Sequence, residues 1–304
     1  MSVKNGLLTV PEDGDLLRIP GFCPAGIPEG EDTVRVVRTL LHEWPLSRVE
    51  LAEFPDLPGA PGRIVKTQLS ASSAEGAFYR YAGPRFRGSR GGLRMPELLG
   101  RAAFGDCECL ILSREAGEPE DWSGLTSDGI RERVRRIGAV LQLPDSERAP
   151  VFTDWSTPER FSADLWEDVP ALLTGGVCDP ERIPERAERG CAACWEAPVG
   201  LLHGDLKADN LLTAGDDAVL LDWQRPARGP LPLEEELSVL LERGLPEDGK
   251  PGGALFSAGN RFAALACFFE AHWYAWAWRT CLPWPIVLGQ AVRYAEAGLA
   301  LIQG

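Results

Sequence analysis

The chain's 304 residues carry 31 lysines and arginines against 45 aspartates and glutamates, a formal charge of −14, in an otherwise ordinary composition of 44% hydrophobic and 25% charged residues. This balance argues against nucleic acid as a partner, since phosphate backbones demand a basic surface, and the length allows one two-lobed unit or two modest domains with ample core. No apolar run approaches the length of a membrane span and residues 1–14 lack an apolar signal core, so no membrane partner and a cytoplasmic location are expected.

In chain order, residues 7–19 read as a hairpin around Glu12-Asp13-Gly14. Residues 31–44 read as a helix with Val34, Val37, Leu40 and Leu41 on one face. Strands are predicted near 47–54 and 63–69, separated by the three-proline loop 54–62, and a helix starts near Glu75. Residues 107–112 form an apolar strand. Helices follow at 130–141, at 157–173 behind the capping sequence Ser156-Thr157-Pro158-Glu159, and at 180–195. Leu211-Leu212 and 218–221 are short apolar runs on either side of Thr213-Ala214-Gly215-Asp216-Asp217, a hairpin pattern. Residues 244–253 read as a mobile loop, 260–279 as an aromatic-rich helix, and a last helix surrounds Tyr294. The cysteine pairs Cys107/Cys109 and Cys191/Cys194 fall in unlike contexts, a strand and a charged helical stretch. They therefore read as reduced, buried thiols rather than as one zinc site.

Most informative is His203-Gly204-Asp205-Leu206-Lys207-Ala208-Asp209-Asn210, followed by Asp222 after a buried strand. An aspartate, an amide and a second aspartate at this spacing suit phosphoryl transfer, in which the protein mainly aligns the acceptor and neutralises charge. Asp205 would accept the hydrogen bond of the attacking hydroxyl. Asn210 and Asp222 offer hard oxygen ligands to Mg²⁺. As a histidine two residues before the base, His203 is expected to brace the loop. Only four lysines stand against 27 arginines, and positions 66 and 207 hold two of them, as sites wanting a compact ammonium would.

These residues resemble the aminoglycoside phosphotransferase and choline-kinase-like family of small-molecule kinases, whose pattern is His-Gly-Asp, four residues, Asn. The resemblance implies an α+β, bilobal protein-kinase-like fold with a small, mostly antiparallel β N-lobe (1–112), a hinge (113–117) and a larger helical C-lobe (118–304). It implies that Lys66 binds phosphate and pairs with Glu75, that adenine meets backbone near Ser113 and Glu115, and that Asp222 binds the metal. ATP is the expected donor, with GTP open, and Mg²⁺ the expected cofactor. Lys207 is similar to the lysine with which protein kinases steady the transferred phosphate, whereas Gly204 and the missing Gly-x-Gly-x-x-Gly argue for the small-molecule branch. With that pattern missing, the nucleotide-covering loop stays unassigned. Glu236 stands where the family carries a loop-supporting aspartate.

The implied acceptor is a small hydroxylated molecule, with an aminoglycoside-like or other sugar-bearing antibiotic leading and choline, a sugar or an amino alcohol open. In the family it lies between C-terminal helices and the Asp205 loop. That would give Glu270 a charge-pairing role, suited to a cationic acceptor, and Trp273 a ring-stacking role. The bland alternative is that the aromatics of 260–279 only pack against the last helix. A protein kinase and a catalytically silent nucleotide-binding protein are the other readings; the intact set Lys66, Asp205, Asn210 and Asp222 speaks against silence.

Overall fold

The computed structural model describes residues 8–22, 34–86, 89–143, 145–215, 217–245, 256–257 and 259–303. The chain divides into two compact units, Met1–Glu118 with Leu212–Gln224, and Pro119–Leu211 with Arg225–Gly304. Residues 113–118 and 212–224 group with the N-terminal unit, the latter because they pair with and pack on its elements.

In the first unit a short helix α1 (Asp13–Leu16) is closed by reciprocal cap bonds between Glu12 and Asp15. It replaces the expected hairpin, and Leu16, Ile19 and Phe22 drop from it into a core with Ala52, Val65, Cys109 and Ile111. Next come β1 (Val37–Trp44), β2 (Ser47–Glu53), β3 (Arg63–Leu69), α2 (Glu75–Ala82), β4 (Leu93–Arg94), β5 (Leu98–Phe104), β6 (Cys107–Ser113) and β7 (Glu118–Pro119). Five of these strands form a sheet in the order β1-β2-β3-β6-β5 with every neighbour antiparallel. The helix expected over 31–44 is therefore corrected to a strand from Val37, its first residues 31–33 lying outside the described ones. The stretch is dense in β-branched residues, and β2 offers a pairing partner across a two-residue turn, which outweighs a helical apolar pattern.

The second unit holds α3 (Ser127–Leu141), β8 (Thr153–Asp154), α4 (Pro158–Thr174), α5 (Ile183–Cys191) and β9 (Val199–Leu202). After β9 the chain runs through β10 (Leu211–Ala214) and β11 (Asp217–Leu220), which lie side by side in a sheet of order β4-β11-β10-β7. It returns as β12 (Ala227–Pro230), α6 (Pro232–Arg243), α7 (Arg261–Thr280) and α8 (Pro285–Gln303). A small sheet of order β8-β12-β9 anchors the segment that leaves β9. The helix predicted over 180–195 is broken into α5 and flanking 3₁₀ turns, with Pro184 in the first turn of α5. The mobile loop expected at 244–253 lies, from 246 onward, outside the described residues. Thr157 caps α4 by accepting the Arg160 N–H, with Pro158 in the first turn.

Candidate active site

Lys66 sits mid-strand on β3, opposite Val49 of β2 and Leu110 of β6, and is 4% exposed. Strand alternation puts Ile64 on the same face, opposite Leu51 and Leu112, so the lysine rises from an apolar bed. Its ammonium lies 2.8 Å from Glu75 Oε2 and 2.5 Å from Asp222 Oδ1. Burial works against the charge, but Asp222 and Glu75 together hold the Lys66 pKa above its ordinary value. Glu75 opens α2, where the helix dipole favours a carboxylate, and its second oxygen accepts the Trp223 N–H at 3.1 Å. Complete burial still pushes its pKa up to about 7 against the pull of Lys66. Asp222 just after β11 has φ +59°, a left-handed backbone that non-glycine residues seldom adopt.

In the second unit, His203 follows β9 and the chain turns at Gly204 with φ +79°. A Cβ there would lie 2.0 Å from the Arg225 carbonyl oxygen, so no larger residue fits. Asn210 Nδ2 donates to the Asp205 carbonyl at 2.7 Å and to its Oδ2 at 3.0 Å, and Lys207 Nζ is 3.4 Å from that same Oδ2. With both amide hydrogens so used, the Asn210 oxygen is the atom left to accept a cation. His203 is fully buried and its Nδ1 accepts the Asp205 N–H at 3.3 Å, a bracing contact.

The loop's support comes from residues the sequence reading did not single out. The Glu234 carboxylate accepts the N–H groups of His203 at 2.6 Å and Gly204 at 3.2 Å, and Glu242 accepts that of Ala208 at 2.5 Å. Burial pushes the Glu234 pKa up to about 7, while the backbone donors pull it down. Glu236, which stands where the family carries a loop-supporting aspartate, instead binds Arg131 through two hydrogen bonds of 2.9 and 2.8 Å and accepts from Asn260. Both glutamates share helical spacing with buried leucines of α6, so only the approach of the loop separates them.

Two other expectations shift. Ser113 has its N–H on the Glu97 carbonyl at 2.9 Å, while its hydroxyl accepts the Glu97 N–H at 2.8 Å and donates to Glu115 at 2.6 Å. These bonds fasten the end of β6 to Glu97, the residue before β5, and tie the Ser113 and Glu115 side chains to each other. Glu270 is 2% exposed and hydrogen-bonded to the buried Arg225, whose guanidinium lies 4.9 Å from the Trp273 ring centroid and 5.3 Å from that of Phe269. Burial opposes the Arg225 charge, yet Glu270 and Asp205 raise its pKa. Tyr274 stacks on Tyr294 of α8 at 5.7 Å, so much of the aromatic helix is packing, and Trp273 keeps a partly open position.

The sequence profile of the phosphotransferase enzyme family matches residues 61–281, a span that includes Lys66, Glu75, Asp205, Asn210 and Asp222. The chain belongs to that family. This phosphotransferase is an enzyme with an alcohol group as acceptor, built on the bilobal protein-kinase-like α+β fold. Among solved structures it is similar to a thermostable mutant of aminoglycoside phosphotransferase APH(4)-Ia, at TM-score 0.56 and 15% identity over 90% of this chain and 96% of that one. Choline kinase from Cryptosporidium parvum Iowa II matches at TM-score 0.54 and 13% identity, covering 95% and 92%. Amicoumacin kinase hAmiN, in complex with AMP-PNP, Ca²⁺ and Ami, matches at 0.51 and 12% identity, covering 86% and 87%. No curated protein sequence matches the phosphotransferase. Among its described residues no helix is long and apolar enough to cross a membrane. No group of three or more His, Cys, Asp or Glu residues there could hold a metal. Asn210 and Asp222 each carry a hard oxygen of the kind Mg²⁺ takes, and that ion needs only one or two protein oxygens beside water and phosphate.

Proposed function

We propose that the phosphotransferase moves the γ-phosphate of ATP to a hydroxyl of a small molecule, with an aminoglycoside-like or other sugar-bearing antibiotic as the acceptor class. Lys66 supports this reading most: a buried ammonium held by two carboxylates can exchange Asp222 for a phosphate oxygen and still keep Glu75. Val49, Leu51, Ile64 and Leu112 on its face suit the flat side of a nucleobase. The β1–β2 turn at Pro45-Leu46, hidden while this stretch reads as a helix, is the loop we assign to cover the phosphates. Asp205 accepts the hydrogen bond of the acceptor hydroxyl and takes its proton late, its carboxylate aimed by Asn210 and Lys207. Lys207, about one-third exposed, can turn from Asp205 toward the transferred phosphoryl group. Asn210 and Asp222 are the residues that would offer oxygens to Mg²⁺, and the ion would supply charge neutralisation for the phosphates.

The formal charge of −14 favours a cationic acceptor, and the comparable likeness to a choline kinase makes a small amino alcohol the second reading. A mass-gain screen with ATP and Mg²⁺ over aminoglycosides, other sugar-bearing antibiotics, choline and amino alcohols separates the two. In it, Asp205→Ala is expected to lower turnover at least about a hundredfold while nucleotide still raises the melting temperature. Wild-type turnover in a folded Asp205→Ala would remove the base from the mechanism.

A further inference from the structure

The left-handed backbone of Asp222 is unfavourable for a residue with a side chain and persists only where its surroundings over-determine it. Trp223, next in the chain, donates its N–H to Glu75 and stacks its ring on Phe78 at 4.1 Å. Gln224 accepts the Ala74 N–H on its carbonyl at 3.3 Å. Its side chain enters a polar chain, buried at its centre, that phosphoryl transfer does not itself require. Gln224 Nε2 donates to Gln68 Oε1 at 3.0 Å, Gln68 Nε2 donates to Glu108 Oε1 at 2.8 Å, and Arg101 Nε donates to Glu108 Oε2 at 2.6 Å.

The chain has one polarity. Glu108 only accepts when ionised, so Gln68 must turn its NH₂ toward it and its oxygen away, and that oxygen accepts from the NH₂ of Gln224. Gln68 is fully buried and faces Glu108 across the β3–β6 pair, two residues along β3 from Lys66. Helix α2 closes over the far end: a Cβ on Gly76 would lie 2.7 Å from Glu108 Oε2 and 2.8 Å from Arg101 Nε. A glycine directly after Glu75 therefore lets the helix approach the ion pair. One buried carboxylate thus orients two amides that end two residues from Asp222.

We infer that Gln68 and Gln224, oriented by Glu108, are positioning residues that hold the left-handed turn of Asp222 and so the direction of its carboxylate. The inference rests on the reading of Asp222 as a metal ligand. Residues that orient a ligand from behind typically change metal affinity about 10–100-fold when lost. Removing either amide should therefore act on the metal and leave metal-free nucleotide binding alone.

The test is a Mn²⁺ titration followed by electron paramagnetic resonance in the presence of ADP, on the full chain. Gln68→Met and Gln224→Met are each expected to weaken Mn²⁺ binding about tenfold, with metal-free ADP affinity unchanged. The double variant should be little worse than either single one, because the amides act as one chain. Should Gln68→Met fail to fold, Gln224→Met, whose side chain is partly exposed, carries the test alone. Wild-type Mn²⁺ affinity in Gln224→Met, beside lost binding in Asp222→Ala, overturns the inference while the metal reading stands. Undiminished binding in Asp222→Ala overturns both.

Discussion

At the scale of single residues, the catalytic loop depends on a group that does no chemistry. Glu234 holds the N–H groups of His203 and Gly204 where β9 gives way to the loop. Glu234→Ala should cost about 3 kcal/mol, since buried donors left unpaired lose about 1–3 kcal/mol each. It should also lower turnover, because Asp205 follows directly. Glu236→Ala, which releases Arg131 and Asn260, should lower the melting temperature with much less effect on turnover at temperatures where it stays folded. Melting curves and kcat on both variants check the assignment; equal kcat losses would return the supporting role to Glu236. Gly204 shows the same dependence on close approach, for the residue that excludes a side chain there, Arg225, lies 21 positions downstream.

At the scale of elements, α7 is the segment where charge and packing compete as explanations. Its Glu270 is buried against Arg225, and removing one partner of a buried pair leaves an uncompensated charge. Glu270→Ala is thus expected to destabilise by about 3 kcal/mol, and Glu270→Gln by less, because the amide oxygen still accepts. Trp273→Ala should cost about 1 kcal/mol through the lost ring contact with Arg225. Thermal melts rank these three, and acceptor kinetics separate packing from recognition: a raised acceptor KM in Trp273→Ala without a lower melting temperature would make the partly exposed indole part of the acceptor pocket. The β1 segment carries the opposite lesson. Val34 packs against the core, yet Leu40 and Leu41, which share its helical pattern in the sequence, are 46% and 54% exposed on a strand, so the pattern does not mark one buried face.

At the scale of the whole molecule, buried titrating groups set how stability varies with pH. Glu234 moves from an ordinary 4.5 to about 7, so between these values the folded state binds a proton that the unfolded chain has lost, and stability falls as pH rises. His272, buried against Asp168 at 2.8 Å with Asp164 and Arg279 beside the pair, acts in the same direction. Burial lowers its pKa, but Asp168 more than compensates, and the stability gained below 6.5 is lost as pH rises through the raised folded value. The nucleotide-free melting temperature should therefore be lower at pH 8 than at pH 6, with a smaller drop in Glu234→Gln; scanning calorimetry at the two pH values checks this. The sequence by itself determined what depends on local order: the His203 to Asn210 block, the β3 lysine, the glutamate opening α2, and the helices 127–141, 158–174 and 261–280, whose caps and periodicity are written in neighbouring residues. The tertiary structure decided the pairing of β1, the choice of Glu234 over Glu236, the engagement of Glu270 by Arg225, and the Gln224-Gln68-Glu108 chain. Each joins residues far apart in sequence, and strand pairing, buried charge compensation and hydrogen-bond polarity are properties of the partner as much as of the residue, so no local pattern encodes them.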